Sequence, residues 1–243
     1  MPGRAIFQMK SPKQSPRAVV LLSGGLDSAT VLAIAKEAGH DCFCLTFDYG
    51  QRHQKEVAAA KALAKWAKAS HELLAFQLPW KGSALLDNEI QVPKDRSLHQ
   101  MTQEIPSTYV PARNTIFLSF AASWAEGLGA SFIYFGANAI DYSGYPDCRQ
   151  DYLLAFQRLL GLGTKSGVGG KAPEIVAPLV SKTKTEIVRW GLRLGVPYEL
   201  TWSCYEGKEF PCRRCDSCLL RAKAFQEAGV EDPLLRRIHV PVR

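Results

Sequence analysis

The chain has 243 residues, 47% hydrophobic and 22% charged, an ordinary globular balance that suits one large domain with at most a small appendage. No stretch of eighteen uncharged apolar residues occurs, which excludes a membrane-spanning helix, and a chain this long buries enough surface to fold without disulfide staples. The net charge of +7 suits anionic ligands such as ATP as well as a nucleic-acid surface and does not choose between them.

Residues 1–16 read as a flexible basic tail, without the apolar core of a signal peptide or the amphipathic pattern of a transit peptide. A cytoplasmic, reducing compartment is the expectation. Ala18 to Leu22 is a continuous apolar run, as in a strand buried on both faces. The string Ser23-Gly-Gly-Leu-Asp-Ser28 follows, then a helix from Ala29 to Ala38. A strand over Cys42–Phe47 leads into the polar loop Asp48–His53, and a helix over Gln54–Ala69 leads to a third strand, His71–Phe76. Residues 78–110 carry three prolines and no clear period, so they read as a functional loop. Helix Asn114–Glu126, strand Ser131–Phe135 and helix Asp151–Leu160 come next. Glycines and lysines over 161–171 read as a flexible link to a short strand at Glu174–Ala177. Helix Lys182–Leu194, a cysteine-rich segment and helix Leu219–Ala228 close the chain. The expected fold is α/β, an open, mostly parallel five-stranded sheet with helices on both faces and a small C-terminal metal-binding region. Residues 17–200 would form the main domain and 201–243 the appendage. Ligands of such sheets sit at the carboxyl ends of the strands where strand order reverses. The loops beginning at 23, 48, 136 and 178 all leave predicted carboxyl ends.

The glycine string suits an anion. Glycines let backbone approach closely, free amides at a helix start point outward, and the hydroxyls of Ser23 and Ser28 add donors. It is neither a Walker A loop nor a dinucleotide fingerprint, and a plain serine-capped turn is the bland alternative. Cys204, Cys212, Cys215 and Cys218 have the spacing C-x7-C-x2-C-x2-C. They can complete a closed tetrahedral site, making zinc a structural ion, with an iron–sulfur cluster as the rival. Such a site would pin the last helix and the Tyr198–Phe210 segment against the sheet. Cys42 and Cys44 read as small core residues, Cys148 as a structural residue in a polar loop, and His53 as an exposed loop histidine without a role.

The six-residue glycine string resembles the pyrophosphate loop of ATP pyrophosphatases that cleave between the α and β phosphates. Further strings narrow the resemblance: Thr46–His53, Val110–Asn114, Asp141–Arg149, Pro178 with Lys184, and the four cysteines followed by Leu220-Arg221. From Ala18 to Pro233 the chain is similar to the 7-cyano-7-deazaguanine synthase family, within the adenine nucleotide alpha-hydrolase-like fold. The resemblance implies an ATP site lined by Leu22, Ser23, Gly24, Gly25, Leu26, Asp27, Ser28, Ala29, Thr30, Val31 and Leu32, with Asp27 holding Mg2+ or orienting phosphates. It implies one structural Zn2+ per subunit, and ATP, ammonia and a deazaguanine carboxylic acid as substrates. Lys184 and Arg113 are candidates to neutralise charge, against the alternatives of a solvated helix lysine and a surface ion pair. Asp141 and Asp147 are candidates to accept the N–H donors of a guanine-like edge, or else to cap turns. No membrane and no stable nucleic-acid partner is expected, and a homodimer is allowed for. The competing readings are a related ligase acting on another carboxylate or on tRNA, and a non-catalytic zinc-ribbon module that binds nucleic acid.

Overall fold

The computed structural model describes residues 15–138 and 145–238. Five strands, β1 (Arg17–Leu21), β2 (Asp41–Asp48), β3 (Ser70–Ala75), β4 (Phe132–Tyr134) and β5 (Glu174–Val176), make one sheet in the order β3-β2-β1-β4-β5. Every neighbouring pair is parallel. The expected open α/β sheet is therefore present, and it is parallel throughout. β1 is central and, after the exposed Arg17 at its start, apolar from Ala18 to Leu21 because both of its faces are covered. Ala18 and Val20 join the core on one side and Val19 and Leu21 the core on the other. Burying each of the larger side chains contributes roughly 1.5–3 kcal/mol.

Helices α1 (Leu26–Glu37), α2 (Lys55–Trp66), α7 (Lys184–Arg193) and α8 (Asp216–Ala228) pack on the first face. Helices α4 (Arg113–Leu128) and α5 (Gln150–Gly163) pack on the second. Three short helices complete the fold: α3 (Leu98–Gln103), α6 (Lys165–Val168) and α9 (Pro233–Arg237).

Several elements depart from the expectation. Helix α1 begins at Leu26, with Gly25 as an extended N-cap, so half of the glycine string is the first helical turn. Helix α3 forms inside the segment read as structureless, stabilised by a Ser97/Gln100 capping box. The link over 161–171 contains α6, whose Thr164 hydroxyl caps the amide of Gly167. Helix α8 starts at Asp216, within the cysteine series, because Cys215 takes the N-cap position. No helix of the described residues is long and apolar enough to cross a membrane.

Candidate active site

Strand order reverses between β1 and β4, and the loops leaving those two strands converge. A Cβ on Gly136, just beyond β4, would lie 3.4 Å from the amide nitrogen of Ser28. The crevice formed there opens into a cavity of about 280 Å³. Ser23, Gly25, Leu26, Asp27 and Ser28 line one wall. Gly24 takes φ +90°, and a Cβ there would meet the backbone oxygen of Glu56 at 2.2 Å, so only glycine fits between this loop and α2. The loop is tied from the other side by the amide of Trp202, which donates to Gly24 O at 2.9 Å. Ser23 Oγ donates to Ser28 Oγ at 3.0 Å, and Ser28 Oγ to Gly25 O at 3.1 Å. No side chain caps α1, so the amides of its first turn are left for a ligand at the positive end of the helix.

Lys184 stands at the first position of α7 and reaches across the cavity to Asp27 Oδ2 at 2.7 Å. The turn before it is fixed by Asn138, whose Nδ2 donates to Lys182 O, and by the Thr183/Glu186 capping box. The other oxygen of Asp27, Oδ1, is buried without a hydrogen-bond partner. A buried carboxylate oxygen left free beside uncapped helix-start amides suits a divalent cation with oxygen ligands.

Aromatic and basic groups form the opposite wall. Phe47 and Phe117 stack at 4.0 Å between ring centres, and Arg113 lies 5.8 Å from the rings of both Tyr49 and Phe117. Arg113 Nη1 donates to Tyr49 OH at 3.2 Å, while its Nε is buried and unpartnered. Arg52 is fixed by two carbonyls, those of Asp87 and Ile90, at 3.0 and 2.9 Å. Glu56, on the first turn of α2, faces the same space, and burial pushes its carboxyl up to about 7, against the pull of Arg113.

The four cysteines of the spaced series lie with their sulfurs within 4.8 Å of one another. A tetrahedral ion with metal–sulfur bonds of about 2.3 Å needs sulfurs spaced roughly 3.8 Å, and Cys212 and Cys218 already stand at 4.0 Å. The amide of Cys212 donates to Cys204 Sγ and that of Cys215 to Cys212 Sγ. Bonds from the thiols of Cys215 and Cys218 hold the Cys204 thiol far below its usual range, and a bond from Cys218 brings Cys212 to about 6. The donor set thus fits a thiophilic cation. Its loop supplies Trp202, Ser203 and Tyr205 to the cavity wall. A strap from the 83–96 segment crosses the cluster: Lys94 pairs with Glu206 at 2.9 Å, Asp95 with Arg214, and Arg96 with Asp216. Behind it, buried Arg221 bonds both oxygens of Asp232 as well as Thr201 Oγ1 and Tyr198 O.

The structure brings Asp27, Lys184 and Arg113 to one cavity with the glycine loop. Of the eleven residues from Leu22 to Leu32, the lining stops at Ser28, and Gly24 itself is turned toward α2. Ala29, Val31 and Leu32 are in the core, and Thr30 shares a 2.8 Å hydrogen bond with Tyr198 OH, because helical rotation carries them away from the crevice. Asp147 does not line the cavity. It is buried, and its Oδ2 accepts the free amide of Asn114 at the start of α4. Asp141 lies outside the described residues. Cys148 is buried and lines the cavity, with Asn114 Nδ2 donating to its sulfur at 3.2 Å. His53, expected to be exposed, is half-buried against Gly207 and also lines the cavity. Sequence reading missed Arg52, Glu56, Tyr145 and Tyr205 as lining residues. For Glu56 the available signal was its place one helical turn after the polar Asp48–His53 loop.

The family model for queuosine biosynthesis protein QueC matches residues 17–229. A 7-cyano-7-deazaguanine synthase of Trichodesmium erythraeum is 57% identical over 221 residues, covering 90% of this chain and 100% of that protein. Another, from Thermoplasma acidophilum, is 54% identical over 218 residues, covering 90% of this chain and 91% of that one. Among solved structures, an NMN synthetase from Francisella tularensis aligns with a TM-score of 0.49 at 18% identity, over 93% of this chain and 83% of that chain.

Proposed function

Because the chain belongs to the QueC family, and is with it a carbon–nitrogen ligase, we propose that it converts 7-carboxy-7-deazaguanine and ammonia to 7-cyano-7-deazaguanine with two molecules of ATP. The acid is first adenylated, ammonia gives the amide, and adenylation of the amide oxygen lets AMP leave as the nitrile forms. The supporting observation is the glycine loop at the β1/β4 reversal, whose Asp27 is met from across the cavity by Lys184.

In this reading the first-turn amides of α1, with Ser23 and Ser28, hold the β,γ-diphosphate, and Lys184 neutralises charge as it departs. Asp27 Oδ1 would hold Mg2+, which supplies charge neutralisation at the phosphates. Arg113, with its free Nε, orients the carboxylate of the substrate against the α-phosphorus. The aromatic wall of Phe47, Tyr49 and Phe117 stacks on a planar heterocycle. Asp147 supports this wall from behind by fixing the start of α4, and an edge-reading role for Asp141 is retained as part of the proposal. The four cysteines would hold Zn2+, a closed structural site that sets the Trp202–Tyr205 wall. The enzyme acts in the cytoplasm on small-molecule substrates.

The test supplies ATP, ammonium and the deazaguanine acid to the purified chain, with nucleotides resolved by chromatography and the product by mass spectrometry. Two AMP and two pyrophosphates per nitrile are expected. Release of ADP and orthophosphate would overturn the reading.

A further inference from the structure

Two carboxylates line the cavity among the described residues, Asp27 and Glu56. Asp27 is engaged by Lys184. Of the other cavity cations, Arg52 is held by the carbonyls of Asp87 and Ile90, Arg221 by Asp232, and Arg113 by its hydrogen bond to Tyr49 OH. Glu56 alone of the two acids has neither a hydrogen bond nor an ion pair among the described residues. Its backbone is pressed against Gly24, so it stands beside the loop assigned to the phosphates.

Resting on the acyl-adenylate reading above, we propose that Glu56 is the base of this site, taking a proton from ammonium in the first half-reaction and from the amide nitrogen in the second. In the first, ammonium gives a proton to Glu56, and the freed lone pair forms the C–N bond as the C–O bond to AMP breaks with its electrons on the phosphate. A second N–H proton leaves to water. In the second, the adenylated amide first loses one N–H proton to water; its remaining N–H bond then gives its electron pair to the third C–N bond, that proton passes to Glu56, and AMP again departs with the C–O pair. Glu56 returns each proton to solvent between steps. No oxidant or reductant is needed. The groups that bear on its charge are Arg113 of α4, Tyr49 after β2, and Cys204. A carboxyl raised to about 7 by burial is matched to accepting a proton near neutrality.

The test compares the wild-type protein, Glu56→Gln and Glu56→Asp, each carrying its bound metal. Three rates are measured: acid-dependent exchange of pyrophosphate into ATP without ammonium, amide and nitrile formation with ammonium, and hydroxamate formation with hydroxylamine, which is uncharged near neutral pH. Glu56→Gln is expected to keep the exchange and the hydroxamate reaction within a few-fold. It should lose ammonium-dependent turnover by about 10²–10⁴-fold, with partial recovery in Glu56→Asp. Equal losses with ammonium and hydroxylamine, or wild-type turnover in Glu56→Gln, would overturn the role. Absence of exchange in the wild-type protein would instead overturn the acyl-adenylate reading on which it rests.

Discussion

Substituting Gly24 by alanine separates two physical demands on the glycine loop. The first is conformational: at φ +90° an L-residue is strained by about 1–2 kcal/mol. The second is steric. The added Cβ would sit 2.2 Å from Glu56 O and 2.8 Å from Ala60 N, both backbone atoms, and one side must retreat until the contact exceeds 3.0 Å. Forcing a methyl into such a space costs about 1–3 kcal/mol more, so Gly24→Ala should lose roughly 2–5 kcal/mol. Gly39 provides the control. It has φ +80° but nothing within 4 Å of its added Cβ, so Gly39→Ala should show the strain alone, about 1–2 kcal/mol. Urea unfolding reads both losses as shifts in midpoint at constant slope. The retreat, close to 1 Å, also moves the loop against the substrate, and misplacement of that size costs about 10²-fold in turnover. Gly39→Ala should turn over normally. If both variants lost equal stability and both remained fully active, the close approach of α2 would not shape the loop, and the reasoning would be wrong.

Removing the Lys184 amine in Lys184→Ala should lower kcat by about 10²–10³-fold with the fold retained, since Thr183 still caps α7; unchanged turnover would remove Lys184 from the site. Asp232→Ala strands the buried Arg221 guanidinium and should cost about 3–5 kcal/mol in urea unfolding, with the double substitution Arg221→Met, Asp232→Leu losing less. Burial pushes the thiols of Cys42 and Cys44 up to about 11 and about 12 from 9.0. Above pH 9 the unfolded chain therefore ionises first and binds fewer protons, so stability falls as pH rises toward 12. Cys44→Ala should flatten that fall in pH-resolved thermal melts. Stripping metal with a chelator should make four of the seven thiols reactive to a disulfide reagent. Cys42, Cys44 and Cys148 should stay protected, and hydrogen exchange should rise in the Lys94–Arg96 strap that pairs with the cluster.

The features legible in the sequence are those set by short-range chemistry. The run Ala18–Leu22 reads as a doubly covered strand because both faces of β1 demand apolar groups. The string Ser23–Ser28 reads as an anion loop because glycine backbone and helix-start amides act locally. Cys212, Cys215 and Cys218 are close in sequence, so their convergence needs little else. Helix α3 was hidden because its capping box sits in a stretch without an amphipathic period. The start of α8 is masked because Cys215, one of the four spaced cysteines, also takes the N-cap position.

What the tertiary structure alone decided is which side chains share the cavity and which are taken by partners. Asp147 and Glu56 are both acids near polar loops, yet Asp147 is engaged by the amide of Asn114 and Glu56 is left facing the cavity. Lys184 meets Asp27 across 157 residues of chain, and the strap residues 94–96 meet partners more than a hundred residues away. Residue type and local spacing set what a side chain is able to do. Its partner, its burial and hence its charge state depend on contacts between distant segments, and these exist only once the sheet has assembled.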